Sequence, residues 1–370
     1  MIRVLSVFGT RPEAIKMAPV VHALQDEPGR FESVVCVSAQ HRAMLDQVLG
    51  VFDVRADHDL DLMTPGQSPA EITARVLERL PPLIRQIRPD ILLVQGDTMT
   101  SFAAAFAAYL DKVPTGHVEA GLRTGDRYQP FPEEMNRVLT TRLASLHFAP
   151  TVQARDRLLA EGVPAGDVHL TGNTVIDALL QTVRTDYRFR TPALAALDPA
   201  RRVVLVTTHR RESFGAPLES TCSALRQLVE RFPDIQVVLP VHPNPQVKRT
   251  VEAALCDLDR VTLIEPVDYV EFVHLMSRAY LILTDSGGVQ EEAPSLGKPV
   301  LVLREVTERP EGVAAGTAVV VGTDRERIVS LACELLSSPA AYARMANAVN
   351  PYGDGRASER IVAAIRERFG

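Results

Sequence analysis

Short continuous apolar runs, each closed by a turn and followed by an amphipathic stretch, recur along this chain. Val4–Phe8 reads as a buried strand with a helix over Glu13–Gln25, and Val34–Ser38 as a second strand with His41–Leu49 helical after it. A longer helical pattern, Ala70–Ile87, leads through Arg88-Pro89-Asp90 into the strand Ile91–Gln95. The Ala-rich run Phe102–Leu110 reads as a buried helix. After it come the strand Thr115–Glu119, a helix around Glu133–Leu143, and strand pieces at His147–Ala149 and Val168–Leu170. Strands that are apolar throughout, alternating with helices of this length, indicate a parallel sheet covered on both faces.

The alternation pauses over Asp186–Arg202, a Pro- and Arg-bearing stretch that reads as an interdomain linker. It then restarts with strands at Val203–Thr207, Gln236–Pro240, Val261–Ile264, Tyr280–Thr284, Pro299–Leu303 and Ala318–Val321. The expected fold is α/β, with two doubly wound, Rossmann-like parallel-sheet domains. The first covers residues 1–185, the linker 186–202 and the second domain 203–354; an amphipathic helix over 355–370 is expected to pack back on the first domain. Open parallel sheets bind ligands outside the carboxyl ends of their strands, so the active site is expected in the cleft between the two domains.

Composition narrows the function. Over 370 residues, 46% hydrophobic and 23% charged content is ordinary for a globular chain, and the net charge of −6 argues against a nucleic-acid clamp or an anionic-membrane binder. The longest apolar run falls short of the roughly 18 residues a membrane helix needs. The N-terminal MIRVLSVFGTRPE has a strand-length apolar stretch rather than a secretory core. Cys36, Cys222, Cys256 and Cys333 lie far apart without metal-ligand spacing, so neither a disulfide framework nor a metal site is expected, and the chain is expected in the cytoplasm. Lys16, Lys112, Lys248 and Lys298 are the only lysines among many arginines.

Chemistry-bearing residues fall at strand ends. Gly9-Thr10-Arg11-Pro12-Glu13, followed by Lys16, lacks the glycines of a dinucleotide fingerprint or a Walker A loop. It is either a solvated turn or a helix N-terminus with two cations suited to an anion. Asp97, in Gln95-Gly96-Asp97-Thr98, either caps the next helix or serves as an acid/base group. Glu119 ends the following strand, where a cap is not needed. Glu133 and Glu134 open a helix, and Glu133 shares a face with Arg137, so a surface ion pair competes with a catalytic role. Converging carboxylates in a partly dry crevice would adopt the mixed protonation states that proton transfer requires.

In the second half, His209-Arg210-Arg211-Glu212 follows a strand and suits an anion, with His209 able to move a proton near neutral pH. His242, in Val241-His242-Pro243-Asn244-Pro245, reads equally as structural or functional. The run Leu283–Glu292 delivers Ser286-Gly287-Gly288 into a helix start, where backbone N–H groups can cradle a diphosphate, with Glu292 placed for ribose hydroxyls and Pro294 expected to cut the helix short. Arg309 supplies a further phosphate or sugar contact.

Taken in order, GTRPEAIK (9–16), QGDT (95–98), HVEAGLRT (117–124), PEEMNR (132–137), HRRE (209–212), VHPNP (241–245), DSGGVQEE (285–292) and TERPE (307–311) resemble the non-hydrolysing UDP-N-acetylglucosamine 2-epimerase family over nearly the whole chain. The resemblance implies a GT-B-like fold and reversible conversion of UDP-GlcNAc to UDP-ManNAc through loss and return of UDP, without metal or nicotinamide, in a homodimer supplying surface polysaccharide. It implies that Asp97, Glu119, Glu133 and His209 are catalytic, and that Arg11, Lys16, Arg137, Arg210, His242, Phe272, Ser286, Gly287, Gly288, Glu292 and Arg309 bind the substrate. Gln40 and His41 match a second, allosteric UDP-GlcNAc site of some members, although Gly66 stands where those carry an arginine. The rival readings are a hydrolysing 2-epimerase, a GT-B glycosyltransferase with an acceptor, and a nucleotide-sugar sensor without catalysis.

Overall fold

The computed structural model describes residues 1–38, 42–62, 64 and 66–370. The chain forms two compact units, one of residues 1–180 and 352–370, the other of residues 181–351.

The first unit is built on a parallel sheet of β1 (Ile2–Phe8), β2 (Phe31–Val37), β3 (His58–Asp59), β4 (Ile91–Gln95), β5 (Thr115–Val118), β6 (Leu146–Ala149) and β7 (Val168–Leu170). Its strand order is β3-β2-β1-β4-β5-β6-β7. Order reverses between β1 and β4, the place in a doubly wound sheet where the loops leaving two neighbouring strands diverge and open a crevice. Every residue of β4 is buried, as expected for a strand covered by helices on both faces. The short β3 has too few residues to show a periodic pattern.

The helix Met99–Leu110 corrects one expectation. Ala103, Ala104, Ala105, Ala107 and Ala108 are fully buried, but Phe102 and Phe106 are half-buried and Tyr109 and Leu110 exposed. The alanine face packs closely because it is small, and the bulky residues point elsewhere. The closing helix, Ala357–Phe369, belongs to this unit and lies against the helix Arg11–Gln25. Asp177 anchors it, accepting the Ser358 amide at 2.8 Å, the Ser358 hydroxyl at 2.6 Å and the Ala357 amide at 3.1 Å.

The second unit repeats the plan with β8 (Arg202–Thr207), β9 (Ile235–Pro240), β10 (Val261–Ile264), β11 (Ala279–Thr284), β12 (Val300–Val302) and β13 (Ala318–Val320), ordered β10-β9-β8-β11-β12-β13 and parallel. Here the order reverses between β8 and β11. Residues 186–202 fall within this unit, where the Arg190 and Thr191 amides donate to Glu271 at 2.7 and 2.9 Å. The helix after β11 runs only from Gly287 to Glu292 before a 3-10 turn at Ala293–Leu296, as Pro294 requires by lacking an amide hydrogen.

Candidate active site

In the first unit, the loop after β1 begins at Gly9. A Cβ there would stand 1.8 Å from Ser38 Oγ, itself 3.0 Å from Thr100 Oγ1, so only glycine fits beside that hydroxyl pair. Thr10 caps the helix Arg11–Gln25 in a capping box with Glu13. Glu13 does more than cap. Its Oε2 accepts the Gly9 amide at 3.1 Å and the Thr10 amide and hydroxyl at 2.7 Å each. Its Oε1 accepts the Thr98 hydroxyl at 2.7 Å and the Ser101 hydroxyl at 3.3 Å, stapling the β1 loop to the β4 loop. Burial raises the Glu13 carboxyl above its ordinary range despite these donors.

Arg11 on that helix is half-buried and has no hydrogen-bonded or ion-paired partner among the described residues. Lys16, one turn on, forms a short ion pair with Glu119 Oε2, which Gln95 also donates to. Glu119 is buried and sits at φ +65°, a left-handed state costing a non-glycine residue roughly 1 kcal/mol. Two donors on one oxygen hold the side chain against that strain.

Asp97 is not the cap of the helix that follows β4. Thr98 takes that place, its hydroxyl accepting the Ser101 amide at 3.0 Å. Asp97 is therefore left for other use, and its Oδ2 receives Arg137 at 2.5 Å. The backbone around it is held from two sides: His117 Nε2 lies 2.7 Å from the Gly96 carbonyl, and Asn136 donates to the Asp97 carbonyl at 2.9 Å. Burial pushes the His117 imidazole down to about 3, keeping it neutral.

Arg137 does not form the ion pair with Glu133 that helical spacing offered as the alternative to a catalytic Glu133. It pairs with Asp97 and, at 3.3 Å, with Glu134, which also accepts the Thr124 amide at 3.1 Å and the Gly125 amide at 3.0 Å. The i,i+4 spacing allowed a pair with Glu133, but the guanidinium turns towards the buried carboxylate and the neighbouring loop. Glu133, half-buried at the helix start, makes no hydrogen bond or ion pair among the described residues. Of the three expected catalytic carboxylates, two carry cations and one does not.

In the second unit, the loops after β8 and β11 meet at the switch point. Asp285 is wholly buried; its Oδ2 accepts the His209 amide at 2.9 Å, the Arg210 amide at 3.0 Å and the Ser213 hydroxyl at 2.8 Å, and its Oδ1 lies 2.9 Å from His209 Nδ1. Burial alone would raise this carboxyl, but the bonds from His209, Arg210 and Ser213 outweigh it and hold it below the usual carboxylate range. His242, after β9, accepts the Asn244 amide on Nδ1 at 3.1 Å and lies beside Phe214, with ring centroids 5.7 Å apart.

Ser286 caps the short helix after β11, and a Cβ on Gly287 would stand 3.6 Å from Arg309 Nη2 and 4.0 Å from Arg210 Nη2. Two guanidinium groups thus flank a backbone turn without side chains. Arg210 is steered by the Asp285 carbonyl and Glu308, and Arg309 by Glu291. Glu292 lies under Gly288, accepting the Tyr269 hydroxyl at 3.4 Å, and Phe272 is half-buried on the helix Tyr269–Arg278. Gln40 and His41 lie outside the described residues; Gly66 is exposed at φ +73°. The reading of single motifs missed Glu13, Gln95, Asn136, Glu134 and Asp285 as organisers; the Thr10–Glu13 capping-box spacing was the one local signal among them.

The chain matches the family model of UDP-N-acetylglucosamine 2-epimerase over residues 22–366. It is 54% identical to the UDP-N-acetylglucosamine 2-epimerase of Escherichia coli, covering 98% of each chain. It is similar in structure to the UDP-GlcNAc 2-epimerase of Neisseria meningitidis solved bound to UDP-GlcNAc, with a TM-score of 0.88 and 47% identity over 99% of this chain and 100% of that one. The fold alone is shared with the glycotransferase of kitacinnamycin, at 15% identity and a TM-score of 0.63 over 98% and 95% of the two chains.

Proposed function

The chain belongs to the UDP-N-acetylglucosamine 2-epimerase family, and from that premise we propose that it interconverts UDP-GlcNAc and UDP-ManNAc by eliminating UDP to a 2-acetamidoglucal and adding it back to the opposite configuration at C2. The C2 proton of an N-acetylhexosamine has no neighbouring carbonyl to acidify it. Removing it in concert with departure of the diphosphate shifts the burden of the barrier to stabilising the leaving UDP. The Ser286–Gly288 turn with Arg210 and Arg309 beside it is suited to that charge, and His209 to a proton on the leaving oxygen. Asp97, Glu119 and Glu133 serve proton loss and return at C2. Lys16 and Arg137 touch the substrate as well as two of these carboxylates, Arg11 binds an anionic group, and His242, Phe272 and Glu292 hold the nucleotide.

The observation that carries this reading is the unequal pairing in the first unit: Asp97 with Arg137, Glu119 with Lys16, and Glu133 with neither. Abstraction needs a carboxylate kept ionised, and protonation needs one that can hold a proton. The pairing gives these carboxylates different charge partners, two beside a cation and one without among the described residues. The reaction is non-hydrolytic and takes place in the cytoplasm, in a homodimer that provides ManNAc units for surface polysaccharide; the family resemblance supports these finer points. Proton NMR of UDP-GlcNAc with the protein in heavy water tests the proposal. Appearance of UDP-ManNAc with deuterium at C2 and no net UDP is expected. Stoichiometric UDP and free ManNAc would instead indicate hydrolysis, and an untouched C2 proton would leave only a binding protein.

A further inference from the structure

We propose that Asp285 is the positioning residue for His209, fixing the imidazole with its hydrogen on Nδ1 so that Nε2 alone exchanges a proton with the leaving diphosphate. An ionised carboxylate only accepts hydrogen bonds. With Asp285 Oδ1 at 2.9 Å from His209 Nδ1, that nitrogen carries hydrogen, and in the neutral ring Nε2 holds the lone pair. The His209 side chain is half exposed, so the far edge of the ring remains reachable.

His242 shows the opposite arrangement. Its Nδ1 receives the Asn244 amide hydrogen at 3.1 Å, so the neutral ring keeps its hydrogen on Nε2 and can only donate there. Two histidines at strand ends of one sheet are therefore set to different tasks by what faces Nδ1. One can take up and release a proton at Nε2 without losing its anchor; the other is a fixed hydrogen-bond donor.

The inference rests on the proposed elimination. As the C1–O bond breaks, its electron pair stays on the β-phosphate oxygen of UDP. The His209 imidazolium gives its Nε2 proton to that oxygen and becomes neutral imidazole, still donating from Nδ1 to Asp285. On re-addition the phosphate oxygen attacks C1, the C1=C2 pair takes a proton at C2 from a carboxyl group assigned to that step, and the phosphate proton returns to Nε2. The Asp285 carboxylate stays ionised and stabilises the imidazolium.

Asp285→Asn is a sharp test because the surroundings choose how an amide would sit. Oδ2 takes the Arg210 amide, the Ser213 hydroxyl and the shorter, 2.9 Å reach of the His209 amide, whereas Oδ1 receives that amide only at 3.2 Å, so the amide oxygen belongs at Oδ2 and the loop keeps its shorter bonds. The amide nitrogen then takes the Oδ1 place and donates to His209 Nδ1, moving the ring hydrogen to Nε2, the state of His242. With imidazole-¹⁵N histidine in the full chain without substrate, wild-type His209 at pH 8 is expected to show a protonated Nδ1 and a bare Nε2, and Asp285→Asn the reverse. The variant should bind UDP within about threefold of wild type while kcat falls on the order of 10²-fold or more. A wild-type His209 with its hydrogen on Nε2 would overturn the proposal even if the variant fails to fold. So would an inverted tautomer with unchanged kcat, or a kcat loss with the tautomer retained. Lack of epimerisation by the wild type would refute the proposed reaction and leave the tautomer result standing.

Discussion

Both units staple their two central loops with one buried carboxylate, and the two staples differ in kind. Glu13 joins the loops after β1 and β4 through amide and hydroxyl donors only, and burial raises its carboxyl. Asp285 joins the loops after β8 and β11 through amides, a hydroxyl and an imidazole, and those bonds hold its carboxyl low. The same topology thus produces a joint in one place and a joint with a proton-carrying partner in the other. In the first unit the carboxylates proposed for proton transfer, Asp97, Glu119 and Glu133, lie beyond the staple; in the second the staple itself holds His209, the group proposed to pass a proton.

The contrast is broken most severely by neutralising the carboxylates beyond the first staple. Asp97→Asn or Glu133→Gln should leave UDP-GlcNAc binding within a few-fold while turnover falls on the order of 10²-fold or more. Separate calorimetric binding and steady-state assays decide it, and near-normal turnover in both variants refutes their assigned roles. Asp97→Asn should also weaken the Arg137 contact, whereas Glu133 has no ion-paired partner to lose among the described residues.

A smaller effect separates the units by pH. Burial holds His117 down to about 3 and His147 down to about 4, and both lie in the first unit. A base whose folded pKa is depressed adds stability above its unfolded value near 6.5, and that stability is lost as pH falls towards the folded value. Lowering the pH from 6 to 5 should therefore withdraw about 2 kcal/mol through these two histidines, at up to about 1.4 kcal/mol each, while the raised Glu13 and Asp177 carboxyls of the same unit return part of it. Asp285, with its folded pKa depressed, adds stability above about 3.8 and gives it up only at lower pH. Amide exchange at pH 6 and pH 5, read separately over β4–β6 and β8–β11, should show the first set losing protection. Equal loss in both sets would contradict the assignment.

How much was legible beforehand follows the range of the forces involved. Ile91–Gln95, Glu133–Leu143 and Val261–Ile264 emerge with their expected bounds because periodicity and turn chemistry are local. The doubly wound class was legible from continuous apolar strands, whereas His58–Asp59 is too short to show a period. The helix after β4 is buried, as expected, on its alanine face, but composition does not say that Tyr109 and Leu110 are left exposed. At the candidate site, residue types at strand ends could be read, but partners could not. Arg137 had Glu133 at helical spacing, yet Asp97, forty positions away, wins through tertiary placement. Asp285 stood in view within a glycine-rich motif, but its bond to His209 depends on β8 and β11 being neighbours, which strand order alone reveals.

The smallest expected effect is the most direct check on the two staples. At Glu13, the two amides and the Thr10 hydroxyl around Oε2 select the oxygen of a glutamine, and its amide nitrogen would face the Thr98 and Ser101 hydroxyls. Hydroxyls rotate and can accept where they had donated, so Glu13→Gln keeps both loops joined. Its folded pKa being raised, Glu13 gives its full contribution only below about 4.5 and loses it as pH rises through the folded value. Glutamine never ionises, so relative to wild type the variant should gain with rising pH. The net change at pH 7 should stay within about 1 kcal/mol, and kcat within a few-fold. Thermal melts and turnover at pH 5 and pH 7 check both signs. The isosteric amide is thus expected to be harmless in the first staple and damaging in the second, because a hydroxyl can turn round and an imidazole must move its hydrogen. If Glu13→Gln proves as damaging as Asp285→Asn, the distinction between a joint and a proton-bearing joint fails.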